Sequence, residues 1–109
     1  MEDPKTWLEK NSESIKFADT SWKKPPSYPY GVHLDDCTTR GADDRLCITD
    51  HDLTVELYAE LETSLETAKA SIEALFIERA MEFESLGRVW IESERHWQQT
   101  YTLSYTEKF

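Results

Sequence analysis

The sequence predicts an α+β fold: a mainly antiparallel sheet of about four strands with helices on one face, in the order α-β-β-α-β-β. Three patterns point to it. From Val89 to Glu94, and again from Trp97 to Thr106, apolar and polar residues alternate. Trp97, Tyr101, Leu103 and Tyr105 therefore share one face while Thr100, Thr102, Ser104 and Thr106 share the other, the period of a half-buried strand. Upstream, Leu65, Ala68, Ile72, Leu75, Phe76 and Ala80 recur at helical spacing. Further upstream, Leu53, Val55, Leu57 and Ala59 alternate with Thr54, Glu56 and Tyr58. Strand pairs joined as hairpins, with helices between them, bury their apolar faces by placing the helices on one side of the sheet.

Taken in order, Asp3-Pro4 reads as an N-cap acceptor followed by proline at the first helical position, and Trp7, Leu8 and Ile15 fall on one face of a helix over residues 3–17. Residues 18–29 read as a connector, because Pro25, Pro26 and Pro29 remove donors and impose extended backbone, so strand pairing is expected to start at Tyr30. Tyr30 to Asp36 and Leu46 to Ala59 are the first two strands, around a polar loop from Thr38 to Asp44. A hairpin with Ala42 at its tip pairs Cys37 with Cys47 and His33 with His51. Leu46 and Ile48 are out of phase with Leu53, so this register requires a bulge near Asp50 to Asp52. Thr63-Ser-Leu-Glu66 has the form of a capping box for a helix ending near Met81, and Gly87 marks a bend or bulge before Val89.

Composition narrows the function. A chain of 109 residues fits one domain, residues 1–109, with a modest core. Its 22 acidic and 12 basic residues leave a net charge of -10, so neutralisation of phosphates, the main source of nucleic-acid affinity, is denied to the domain as a whole. No apolar run approaches the roughly 18 residues of a membrane span, and Met1 to Lys10 is charged where a signal peptide would be apolar. The expected place of synthesis is a cytoplasm. Two cysteines are too few for a secreted disulfide framework. The four Trp, five Tyr and four Phe are many for such a chain, and interfaces favour large amphipathic rings.

Three constellations could carry chemistry. His33, Cys37, Cys47 and His51 all bind zinc, but residues four apart on a strand are about 13 Å apart, and zinc ligands must come within about 2.0–2.3 Å of one ion. A regular hairpin cannot close that set, and the expectation is no metal and no cofactor. Asp35-Asp36 and Asp43-Asp44 flank the hairpin loop without the spacing of a calcium loop, which reads as a solvated or partner-binding acidic tip. His96 has no Ser, Cys or Asp placed beside it as a nucleophile or orienting group. Phosphate loops, G-x-G-x-x-G and G-x-S-x-G motifs are absent from a sequence holding only three glycines. The balance favours a protein that works by contact.

Leu53-Thr-Val-Glu-Leu-Tyr58, the helix after it, Val89-Trp-Ile-Glu-Ser-Glu94 and Tyr101-Thr-Leu-Ser-Tyr105 together resemble a family of tail terminator and head–tail joining (tail completion) proteins of long-tailed phages and prophages of Gram-positive bacteria. The resemblance runs over about residues 28–109, and its most specific part is the run at 89–94. It implies a structural virion protein at the head–tail junction, without enzymatic activity. Such a protein forms a ring, a hexamer in the virion, that caps the tail tube and docks to the head connector. The partners implied are further copies of the chain, the major tail tube protein and the connector, with neither membrane nor specific nucleic acid. The interface candidates are Asp35, Asp36, Arg40, Asp43, Asp44 and Arg45 of the hairpin, with the aromatics Tyr58 and Trp90. A head-closure or other joining protein, and a small acidic binding module or inhibitor, are the alternative readings.

Overall fold

In the computed structural model the chain is described over residues 3–42 and 46–108, with side chains over 3–38 and 48–106. The α+β class holds, with helix α1 (Pro4–Leu8), strands β1 (Lys16–Asp19), β2 (Tyr30–Ala42) and β3 (Leu46–Ala59), helix α2 (Glu62–Glu78), and strands β4 (Phe83–Ile91) and β5 (His96–Lys108). The sheet has five strands in the order β1-β2-β3-β5-β4 and is mixed, because β1 runs parallel to β2 while every other pair is antiparallel. The expected four-stranded sheet thus gains an edge strand.

That strand straddles the end of the expected first helix and the start of the expected connector. Asp3 does cap α1, accepting from the Lys5 N–H at 3.0 Å, with Pro4 behind it. The helix stops at Leu8, since buried Asn11 takes over the backbone: its Nδ2 donates to the carbonyls of Leu8 and Ile15, and its Oδ1 accepts from the N–H groups of Glu13 and Ile15. Ile15 and Phe17, both buried, then alternate as strand residues. The Phe17 ring lies over Gly31, its partner in β2, so closely that a Cβ there would overlap the ring. The connector begins at Thr20, whose N–H donates to the His33 carbonyl, and it includes a cis Tyr28-Pro29 peptide.

The β2–β3 register also departs from expectation. Ala42 pairs with Leu46, which puts Cys37 opposite His51, His33 opposite Val55 and Gly41 opposite Cys47. Neither the Cys37–Cys47 nor the His33–His51 pairing forms. The hairpin keeps this register without interruption through Asp50 to Asp52, so the expected bulge is absent and Ile48 lies on the face opposite Leu53. The shift from His51 to Val55 opposite His33 is four residues, an even number, so both registers leave Leu53, Val55, Leu57 and Ala59 on the face that meets Tyr101 and Leu103 of β5 under α2, and only an odd slip would turn that row outward.

Helix α2 packs on β3 and β5, and α1 on β1 and β2, so both helices cover one face. The core joins Trp7, Leu8, Ile15 and Phe17 to Leu65, Ile72 and Phe76 of α2 and to the β3 and β5 rows. The capping box does not form. The N-cap is Leu61, with no side-chain cap, and the helix begins at Glu62. It ends at Glu78 in a Schellman turn, with the Met81 N–H donating to the Phe76 carbonyl, the Ala80 N–H to that of Ile77, and Ala80 at φ 55°. The bulge before Val89 is where it was expected: the β4–β5 register shifts between Ser85 and Arg88, and Gly87 has φ 88°. The molecule measures 51 × 28 × 22 Å.

Candidate functional site

Two places concentrate polar or aromatic side chains beyond the needs of the core. The first lies on the face opposite the helices. Tyr30 stacks on Tyr28 and on Tyr58, with ring centroids 5.2 and 5.3 Å apart. His96 tilts against Tyr58 at 4.8 Å, and its Nδ1 is 3.0 Å from the Tyr28 hydroxyl. Trp22 reaches over from the connector, donating from its indole N–H to the Gly31 carbonyl and meeting Tyr30 edge-on. Between these groups is an open cavity of about 270 Å³, lined chiefly by Trp22, Tyr30, Tyr58, Ile91, His96 and Glu94. A cavity with aromatic walls and few polar groups suits an apolar or cationic side chain of a partner.

Electrostatics keep this cluster neutral. Burial pushes the Tyr30 hydroxyl above its ordinary range, helped by Tyr28 and Glu94. The Tyr58 hydroxyl is raised further by burial and by Glu56, to whose carboxylate it donates at 3.0 Å. Burial lowers the His96 imidazole, and the Glu94 carboxylate opposes that only in part. None of the three is disposed to ionise near neutral pH. Thr20 and Ser21 also line the cavity. His96 enters it as a wall, beside Tyr28, Tyr58 and Glu94.

The second place is on the helix side of the hairpin, where the apolar row ends at Leu53 and polar residues take over. Asp35 Oδ2 lies 2.7 Å from His51 Nδ1. The His51 ring, buried, stacks on Tyr105 at 4.4 Å and 7°. Cys37, directly opposite His51, is an exposed free thiol. His33, two residues before Asp35 on the same face, is 4 % exposed, and both of its ring nitrogens are buried with no hydrogen-bond partner among the described residues.

The candidates read from sequence are distributed unevenly over these places. Asp35 belongs to the hairpin cluster and Asp36 is exposed on the opposite face. Tyr58 is half-buried in the aromatic group under the connector. Trp90 lies elsewhere: it pairs with Trp97 on the helix side of the sheet, edge-on at 5.5 Å, because Val89 and Ile91 take the other face after the Gly87 bulge. Asp43, Asp44, Arg45 and the side chain of Arg40 lie outside the described residues. Of the His/Cys set, the register puts Cys37 opposite His51 and His33 opposite Val55, and the side chain of Cys47 lies outside the described residues. Trp22 and Tyr28 join the site from a stretch that reads as linker because they are mixed with Pro and Lys; the local signal for them is the density of rings between residues 22 and 30.

A third feature is the outer strand. Almost all of β4 is exposed, including Leu86, Val89 and Trp90, and Arg88 on it clasps Glu62 and Glu66 of α2 at 2.5 and 2.6 Å. Among the described residues no helix is long and apolar enough to cross a membrane. No protein-family model matches the chain, and no curated protein matches it.

Proposed function

We propose that this chain is a structural component of a long-tailed phage virion, the tail terminator that closes the tail tube as a ring and docks to the head connector. The observation that carries the reading is where the run Val89 to Glu94 sits: on the exposed outer strand β4 and the turn after it. This is the stretch most specific to the family resemblance, and the core has little use for it. A segment so strongly written and so little buried serves contacts outside the subunit. The sheet also has two unlike edges, the four-residue β1 and the long β4, and unlike patches are what a head-to-tail ring joins.

In this reading the protein acts without catalysis and without a cofactor. Its partners are other copies of itself, taken as a hexamer, together with the major tail tube protein and the connector, and its place is the head–tail junction. The aromatic cavity gives one specific ground for the second reading, a small acidic binding module, since it is shaped to take a side chain from a partner. Deleting the gene from a phage or prophage that carries it separates the two. Loss of the terminator leaves tail tubes of uncontrolled length beside tailless heads in electron micrographs, whereas normal virions from the deletion strain would overturn the proposal.

A further inference from the structure

We infer that Asp35, Cys37 and His51 form a binding site for one borderline-soft divalent cation of the zinc type, at the end of the helix-side core. This inference stands apart from the virion reading and does not rest on it.

The site follows from register. Asp35 and Cys37, two apart on β2, project from the same face, and His51 of β3 stands directly opposite Cys37. One carboxylate oxygen, the thiol sulfur and one imidazole nitrogen therefore lie within 4.8 Å of one another. In a tetrahedral zinc site with bonds of about 2.0–2.3 Å, ligand atoms stand about 3.3–3.8 Å apart. Closure draws the more distant atoms about 1 Å together and opens the 2.7 Å Asp35 Oδ2–His51 Nδ1 pair to ligand spacing, so that the cation replaces that hydrogen bond. The pairing expected from sequence would have put Cys47 opposite Cys37, and no such convergence arises from it.

Two further observations point to a cation. The other oxygen of Asp35, Oδ1, is buried with no hydrogen-bond partner among the described residues. A buried carboxylate oxygen without a donor is costly to desolvate, and a coordinated cation satisfies it. The His51 imidazole is held in plane by Tyr105, so its orientation is fixed before anything binds, as ligand imidazoles require. Cys37 is exposed, which leaves the fourth position open to water. Binding converts the Cys37 thiol to thiolate, forms a metal–sulfur bond and releases the proton to solvent. Thiolate and imidazole favour zinc and its relatives over magnesium and calcium, which take oxygen ligands.

Titration of the reduced, metal-free full chain with Co2+, a spectroscopic stand-in for Zn2+, tests the site. The expected result is one Co2+ per chain, with a near-ultraviolet thiolate-to-cobalt charge-transfer band that Zn2+ abolishes and Mg2+ leaves intact. C37S removes the band, D35N and H51Q each weaken binding about tenfold or more, and C47S retains it. In the unmodified protein, where no variant has to fold, Zn2+ slows alkylation of Cys37, followed apart from Cys47 by peptide mapping. Absence of the band in the unmodified chain, its survival in C37S, its loss in C47S, or equal alkylation of Cys37 with and without Zn2+ would each overturn the assignment.

Discussion

His96 is a residue whose position sets a pH dependence. It is 5 % exposed among Tyr28, Tyr58 and the turn carrying Glu94, and burial lowers its pKa in the folded state despite the pull of that carboxylate. The unfolded chain, near the ordinary value of about 6.5, binds a proton that the folded chain refuses. The His96 contribution is therefore fully present above about 6.5 and is lost as pH falls through that value toward the lowered folded one. Urea midpoints measured from pH 7.5 down to 5 should fall more steeply for the natural protein than for His96→Gln, which keeps a polar group near Tyr28 and cannot titrate; parallel curves would refute the assignment. Nothing local in the sequence announced this role. His96 follows Glu94-Arg95 in what reads as a solvated turn, and its walls are a tyrosine 68 residues earlier and a connector that the proline content marked only as irregular.

At the scale of elements, legibility depended on the range of the forces involved. Strands β3 and β5 were readable because alternation is decided by neighbours along one chain, and Gly87 betrayed its bulge by lacking a side chain where β4 needed a positive φ. Hairpin register was not readable: the observed pairing puts Val55 rather than His51 opposite His33, an even shift that keeps every side chain on its face, so alternation along the strands does not distinguish the two. β1 was lost for a related reason. Ile15 fits the helix face of Trp7 and Leu8, while Ile15 and Phe17 share a face only as strand residues, a run too short to announce β1, and the Asn11 side chain that stops α1 does so through backbone groups three and four residues away. The α2 terminus offers a test of local strain. Ala80 sits at φ 55° in the position that glycine ordinarily fills, and left-handed backbone costs an L-residue about 1–2 kcal/mol. Ala80 is exposed, so Ala80→Gly should stabilise the fold by about 0.5–1 kcal/mol once glycine's added chain entropy is deducted, read as a higher urea midpoint at constant slope. An unchanged or lower midpoint would show that the Schellman turn is relaxed with alanine.

The whole molecule is longer than a compact chain of its size should be, with a radius of gyration of 15.0 Å against about 13 Å expected. That elongation comes with a sheet that buries one face under helices, partly roofs the other with the connector, and leaves β4 bare at its edge. Exposed edge strands are ordinarily blunted by charge or by a bulge. β4 carries the bulge, and Arg88 ties it to α2, yet Leu86 and Val89 remain 55 and 58 % exposed. If the virion reading holds, this strand is where a neighbouring subunit or the tail tube adds its own surface, and disrupting it should separate folding from assembly. Leu86→Lys with Val89→Lys changes two side chains that contribute little to the core, so the melting midpoint should correspond to a loss within about 0.5 kcal/mol per site. The same double variant should fail to complement a deletion strain, leaving uncapped tubes in electron micrographs. Full complementation by a well-folded double variant would remove β4 from the contact surface while leaving the deletion result to decide the terminator reading; an unfolded variant would instead show that these two side chains contribute to the core after all.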